Sequence, residues 1–484
     1  MRGVWTTEAV RAAEQRLMAT VPEGTLMRRA AFGVAGQAAR LLTEHAGGVS
    51  GRRVALLVGA GSNGGDALWA GAFLRRRGVG VTAVLLNPER THAEGLAALR
   101  RAGGRVVEAG SAGAALTAAD LVVDGIVGLS GKGPLRPGAA ELVAAVTAPV
   151  LAVDMPSGVD PDTGAVDGPA VRAAATVTFG CRKPVHVLGA GAVHSGTVHV
   201  VEIGVERELP EPDMVLLDAA DVGAAWPVPG AEDNKYRRGV TGVAAGSATY
   251  PGAAVLASGA AVQGGTGMVR YAGTAADAVR ARWPEVVATG SVTDAGRVQA
   301  WVVGPGVGTG GAGHDVLEHV LSAGVPVCAD ADAITLLARD PDLWDARDPD
   351  TPVVLTPHEG EFARLAGEIG PDRVAAVRRA AERFRSIVLL KGHTTVIAHP
   401  DGRVLVNLAR SAWPATAGSG DVLSGLIGSL LAAGVDPWLA AGCAAYVHDL
   451  AGDLAAEGAP IGASAMVEAV PDALRTVRAA TVTG

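Results

Sequence analysis

The sequence predicts an α/β protein of two three-layer α/β/α domains, each a parallel sheet with helices on both faces. Three observations lead there. Short Val-rich runs alternate with Ala/Leu/Arg stretches along the whole chain, and strand–helix alternation builds parallel sheets. The rhythm breaks at the charged, proline-bearing segment ERELPEPD (206–213), a linker composition. Finally, 484 residues exceed one ordinary domain. With the boundary near Glu211, the expected domains are 1–211 and 212–484.

In chain order, the first series of strand-like runs is RVALLVGAG (53–61), VTAVLLN (81–87), ADLVVDGIVG (119–128), APVLAVDMPSG (148–158) and GTVHVVEIG (196–204). Helix-like segments such as DALWAGAFLRRRG (66–78) lie between them. The second series is GVTGVAAGS (239–247), VQAWVVGPGVG (298–308), VPVCADADA (325–333), TPVVLTPHEGE (351–361) and SIVLLKGHTTVIA (386–398), closing with a helix from Asp421 to about Ala433. The halves do not repeat one another, and no tail is of low complexity.

Composition narrows the function classes. Hydrophobic residues make up 49% and charged residues 19%, enough for real cores, while aromatics are 4% beside 67 glycines. Small apolar side chains suit close helix-on-sheet packing. The net charge of −8 argues against a nucleic-acid partner, which calls for a basic face. Cys181, Cys328 and Cys443 are far apart and in no metal-like spacing, so they read as reduced thiols in the cytoplasm. The N-terminus carries Glu8 and Glu14 without an apolar core and does not read as a signal peptide. The uncharged run 239–269 is glycine-dense and broken by Pro251, a strand–loop–helix rather than a membrane span.

Polar residues gather at expected strand ends, where parallel sheets bind ligands. GAGSNGGDA (59–67) joins the first strand to a helix. Its glycines let backbone N–H groups approach a phosphate at a helix N-terminus. Asp124 ends another strand and is followed by GLSGKGP (128–134), and Asp154 and Ser157 lie in DMPSG (154–158). As a set, with LMRRAA (26–31) and TFGCRKP (178–184), these segments resemble the N-terminal domain of the NAD(P)H-hydrate epimerases over roughly residues 1–210. The resemblance implies a Rossmann-like fold. It implies that Asn63, Asp124 and Ser157 supply oxygens to potassium. It also implies that Ser62, Asn63, Gly64, Gly65 and Asp66, with Gly128, Leu129, Ser130, Gly131, Lys132, Gly133 and Pro134, hold the dinucleotide. Ser62 stands where the family usually has a second Asn. Inverting a hydroxyl-bearing carbon needs groups that handle protons, and Asp154 and Lys132 are the candidates. The plainer alternatives are a helix cap for Asp154, a turn residue for Asp124 and a solvated loop lysine for Lys132.

The strongest single motif is AGSGD (417–421) before the apolar stretch VLSGLIGSLLAAG (422–434). Small residues at a helix N-terminus make an anion hole. An acid beside it, Asp421, reads as the base for a hydroxyl that attacks phosphate, or else as a helix cap. The segments NKYRRGVTGVAAGS (234–247), YPGAAVLASGAA (250–261), VVGPGVG (302–308), ADADA (329–333), TPHEGE (356–361), VLLKGHTTV (388–396) and AGSGDVLSG (417–425) occur in this order. Together they resemble the ribokinase-like ADP/ATP-dependent NAD(P)H-hydrate dehydratases; Asn234 stands where a His is usual. This resemblance implies that Ala253, Gly306, His358 and Asp421 contact the hydrated dinucleotide. It implies that Lys391, Gly392, His393, Thr394, Thr395 and Gly420 contact ADP or ATP, and that Glu361 assists magnesium unless it merely caps its helix.

The two resemblances together imply a repair enzyme. Its N-terminal half would interconvert the R and S hydrates of NADH and NADPH. Its C-terminal half would phosphorylate the S hydrate's hydroxyl and eliminate phosphate, restoring the ring. The partners are small molecules, with no nucleic acid and no membrane, and a homo-oligomer is left open. The rival reading is a ribokinase-like kinase of a hydroxymethyl vitamin precursor fused to a non-catalytic dinucleotide-binding module.

Overall fold

The computed structural model describes residues 1–482, so the last two residues of the expected second domain lie outside the described residues. The chain divides into two compact units, Gly3–Asp213 and, with the first two residues, Met214 onward. A short strand, β1 (Arg2–Val4), opens the chain.

The first unit holds β2 (Arg53–Val58), β3 (Gly80–Leu85), β4 (Arg105–Glu108), β5 (Leu121–Gly125), β6 (Val150–Val153), β7 (Ala175–Phe179) and β8 (Thr197–Val201). They form one parallel sheet in the order β4-β3-β2-β5-β6-β7-β8. Alternate residues of β2 feed opposite faces. Val54, Leu56 and Val58 join the core under the helices Thr25–Ala46 and Ser62–Arg75, while Ala55 and Leu57 pack with Val84 and Leu116 on the other face. A strand buried on both faces is the near-continuous apolar run seen in its sequence. The strand order reverses between β3 and β5, on either side of β2, so the loops after β2 and β5 flank a switch point where such sheets take ligands.

The second unit adds β9 (Met214–Leu216), β10 (Val240–Ala244), β11 (Met268–Ala272), β12 (Val287–Thr289), β13 (Ala300–Val303), β14 (Val327–Ala329), β15 (Val353–Leu355), β16 (Ile387–Leu390), β17 (Thr394–Ala398) and β18 (Val404–Leu408). Their order is β9-β18-β17-β16-β15-β14-β13-β10-β11-β12. From β12 to β16 the pairs are parallel, with a switch point beside β10.

Two expectations need correction here. The run 386–398 is not one strand: it turns at Lys391–His393 into the antiparallel pair β16/β17, and β17/β18 is antiparallel too. Connections this short cannot cross a sheet, so the neighbouring strands must reverse. The helix at Asp421 does not close the series either. It spans Ser419–Ala432, and the helices Pro437–Ala456 and Ala463–Val482 follow.

The helix Ser419–Ala432 is buried along most of its length. A Cβ on Gly425 would stand 2.3 Å from the Ala257 carbonyl oxygen, so glycine is what lets this helix close on Pro251–Gln263. Among the described residues, no helix is long and apolar enough to cross a membrane.

Candidate active sites

In the first unit, the tight turn after β2 sets the site. A Cβ on Gly59 would fall 1.9 Å from the Ile126 carbonyl oxygen, so only glycine lets this turn lie against the end of β5. The helix that follows begins at Ser62 and carries buried Asn63 and Asp66 into the crevice. The structure brings Asn63, Asp124 and Ser157 together. The Asn63 side-chain amide lies 2.5 Å from the Val153 carbonyl and 3.3 Å from that of Val127. Asp124 accepts from the Ser157 hydroxyl at 2.7 Å, from the Ser157 amide at 2.8 Å and from the Ile126 amide at 3.1 Å. All three donors are neutral, and burial pushes the Asp124 carboxyl up to about 6. A fully buried carboxylate with only neutral donors, ringed by a hydroxyl, an amide and two carbonyls, fits a hard monovalent cation.

Asp154 sits next to this cluster in a left-handed backbone conformation, φ +67°. Non-glycine residues rarely adopt it, and they concentrate where geometry is functional. Lys132 is not what meets it. Lys132 stands exposed on the Gly128–Pro134 loop and makes no bond to Asp154. The lysine there is Lys183, fully buried, its Nζ donating to Asp154 Oδ1 at 2.7 Å and Thr178 Oγ1 at 2.7 Å. Burial pulls the Lys183 ammonium down, but Asp154, Cys181 and Glu14 together outweigh it and leave the pKa above the ordinary value.

His186 completes the arrangement. Its Nδ1 accepts from the Lys183 amide, so its Nε2–H donates to the Asp154 carbonyl at 2.8 Å. Burial, with Lys183 nearby, lowers this imidazole to about 3, so it is neutral. The field of Asp154 also reaches Asp66 and Glu14, whose carboxyls are pushed up mainly by burial. Of the 128–134 loop, Gly128 lies against Asn63, with a would-be Cβ 2.3 Å from its Oδ1. Ser130, Gly133 and Pro134 are exposed, while Leu129 and Gly131 are half-buried.

In the second unit, the site residues come from the carboxyl ends of the central strands. Gly306 after β13 has φ +67°, and a Cβ there would stand 3.3 Å from that of Ala253, so these two expected substrate residues are neighbours. A cavity of about 710 Å³ is lined by His358, Lys391, Gly392, His393, Thr395 and Gly420, among others. Thr394 turns away into the β17 ladder, with 3% exposure. Glu361 is not a free carboxylate. It accepts from the His358 amide at 2.9 Å while His358 Nδ1 accepts from the Gly360 and Glu361 amides, a reciprocal helix cap.

Asp421 lies in the first turn of Ser419–Ala432, whose N-cap Gly418 has φ +86°. Burial and then the Asp330 carboxylate push the Asp421 carboxyl up to about 7, against the pull of Lys391. That is the value a general base needs near neutral pH. Sequence reasoning gave no role to Lys183, Asp330, Ser424 or His448. The first three lie in quoted segments, TFGCRKP, ADADA and AGSGDVLSG, and for Asp330 a charge just after an apolar strand is the signal that could have found it.

Family models match both units: residues 23–185 match the YjeF-related protein N-terminus and residues 241–470 match NAD(P)H-hydrate dehydratase. The chain is 57% identical over 439 residues to the bifunctional NAD(P)H-hydrate repair enzyme Nnr of Mycobacterium tuberculosis, covering 90% of each chain. It is 54% identical over 483 residues to that of Mycobacterium leprae, covering 98% of this chain and 99% of the relative. Among solved structures, it is similar to the ADP/ATP-dependent NAD(P)H-hydrate dehydratase of Bacillus subtilis co-crystallised with ATP and Mg2+. That likeness has 28% identity and a TM-score of 0.50, and covers 55% of this chain and 99% of that one.

Proposed function

This chain belongs to the family of bifunctional NAD(P)H-hydrate repair enzymes, and from that premise we propose how its two units divide the work. The first unit is the epimerase, interconverting the R and S hydrates. Asp154 handles the proton at the carbon that inverts. Lys183, Thr178 and His186 hold its carboxylate and its backbone in place. Lys132, on its exposed loop, reaches the site only if that loop folds over the dinucleotide. Asn63, Asp124 and Ser157 hold potassium, which when bound supplies the positive charge that Asp124 otherwise lacks. The backbone of Ser62–Asp66 and of Gly128–Pro134 carries the dinucleotide.

The second unit is the dehydratase. Lys391, Gly392, His393, Thr395 and Gly420 hold ADP or ATP, and Ala253, Gly306 and His358 hold the hydrated ring. Asp421 takes the hydroxyl proton as that oxygen attacks the terminal phosphoryl group, so ADP leaves as AMP, or ATP as ADP. The phosphate ester then eliminates inorganic phosphate as the ring loses a proton, and the double bond returns. Magnesium bound with the nucleotide would offset the charge on its phosphates. Glu361, committed to its cap, steadies the His358 turn instead of supplying a free ligand. Catalysis of this kind is positioning and charge stabilisation around the transferring group. The three cysteines are buried and unpaired, consistent with work in the reducing cytoplasm.

The observation that carries this reading is the cavity of about 710 Å³ that Lys391, His393 and Gly420 line, with Asp421 the next residue in the chain and its carboxyl pushed up to about 7. The test incubates the full chain with racemic hydrated NADH, ADP, magnesium and potassium and follows the reduced-ring absorbance. Recovery of the whole racemate is expected. Recovery of only half would remove the epimerase. A phosphorylated product that accumulates without NADH would mean a kinase.

A further inference from the structure

Asp330 follows β14 in the ADADA segment and is 2% exposed. Its Oδ1 accepts from Lys391 Nζ at 2.7 Å and its Oδ2 accepts from Ser424 Oγ at 2.8 Å. The Ser424 hydroxyl also lies 3.0 Å from the Gly420 carbonyl. One carboxylate therefore ties the end of β16 to the first turn of the helix that carries Gly420 and Asp421. A Cβ on Gly420 would stand 3.3 Å from Lys391 Nζ and 3.4 Å from Asp330 Oδ2, so the ion pair packs directly on the residue before Asp421. The backbone around it is tightly constrained. Ala331 has φ +53°, and the Asp330 carbonyl lies 1.9 Å from where a Cβ on Gly304 would be. A buried carboxylate is costly, and a strand end does not require one.

We propose that Asp330 is a positioning residue of the dehydratase, holding Lys391 against the Gly420 turn and presenting a fixed negative charge to Asp421. This rests on the reading of Asp421 as the base. The charges around Asp421 are few. Asp330 comes from the end of β14, which also carries Cys328. Lys391 comes from β16, with Glu361 behind it at 4.0 Å. On Pro437–Ala456, His448 bonds Ser419 and is held neutral by burial, and Asp449 is paired with Arg410 at 2.7 Å. The packed elements β10, β13 and Pro251–Gln263 carry no titratable side chain, and of Ala463–Val482 Glu468, Asp472 and Arg475 face solvent while Arg478 donates to the Pro227 carbonyl.

The signs follow. A carboxylate beside Asp421 disfavours its ionisation and an ammonium favours it. Removing the Asp330 charge moves the acid limb of turnover to lower pH, and removing the Lys391 charge moves it higher. A tie that only held the fold would change melting and turnover and leave the limb where it was.

The experiment measures kcat of the full chain on the pure S hydrate, with saturating ADP and magnesium, from roughly pH 5 to 9. Asp330→Asn is expected to move the acid limb down by about one unit and to lower kcat by roughly tenfold. Lys391→Met is expected to move the limb up. Ser424→Ala, which keeps both charges, is expected to leave it in place. An unmoved limb in Asp330→Asn, or limbs that move the same way in Asp330→Asn and Lys391→Met, overturns the proposal. If Asp330→Asn does not fold, Lys391→Met decides alone, and a limb that stays or falls overturns it. Failure of the base reading looks different: Asp421→Asn would keep its turnover.

Discussion

Replacing Asp421 by Asn should make the dehydratase unit more stable at alkaline pH while nearly abolishing its turnover. The carboxyl stands at about 7 in the folded chain against an ordinary 3.8. A raised carboxyl means that the folded state binds the proton more tightly than the unfolded state. Stability attached to this group is therefore full below the ordinary value and is lost as pH rises towards 7. About three units at ~1.4 kcal/mol each give about 4 kcal/mol, and partial solvent access reduces this to about 2–3 kcal/mol. Asparagine keeps the size and never ionises, and since Gly418 is the N-cap and no side chain caps this helix, no cap is lost. Its unit should melt several degrees higher than wild type at pH 8 and level with it near pH 4. ADP affinity should be unchanged, because the nucleotide contacts lie elsewhere, and turnover on the S hydrate should fall by roughly a thousandfold. The assays are calorimetry at both pH values, ADP titration and kcat. Near-normal kcat would mean that Asp421 is not the base, and a lower melting temperature at pH 8 would refute the buried-charge argument.

Asp124→Ala should cripple epimerisation, remove any dependence of its rate on potassium over sodium, and leave conversion of the pure S hydrate intact; equal loss of both activities in a folded chain would contradict separate sites. Lys183→Met leaves Asp154 buried beside no cation, and should lower the first unit's stability by about 3–5 kcal/mol and its turnover by roughly a hundredfold. Lys132→Ala should leave that unit's melting unchanged, and an unchanged epimerase rate as well would make Lys132 a solvated loop residue.

Much of the fold was legible because buried parallel strands write themselves as Val-rich runs. RVALLV (53–58) is a strand over its whole length, and GAGSNGG marks the switch-point turn, whose first glycine, Gly59, the close approach to Ile126 makes obligatory. The antiparallel β16/β17 pair was less legible, since SIVLLKGHTTVIA is apolar on both sides of a three-residue turn and only geometry makes the chain reverse. The site followed the same division. Asn63, Asp124, Ser157 and Asp421 could be placed because each stands at a strand end or helix start that local sequence announces. Lys183 and Asp330 could not be given partners. Their meaning lies in contacts to Asp154 and Lys391, across 29 and 61 residues of chain, and no local pattern records a pairing at that distance. For the same reason a glycine loop points to Lys132, whereas the lysine that bonds Asp154 is Lys183.

On this reading one chain carries two separable sites acting in series. The most direct measurement supplies pure R hydrate of NADH with ADP, magnesium and potassium to Asp124→Ala, to Asp421→Asn, and to an equal mixture of the two. Asp124→Ala alone should leave the R form, and Asp421→Asn alone should give a mixture of R and S without NADH. The mixture should regenerate NADH, because the S form made by one variant is consumed by the other. A mixture that yields no more NADH than the separate variants, with both proteins folded, would contradict the account.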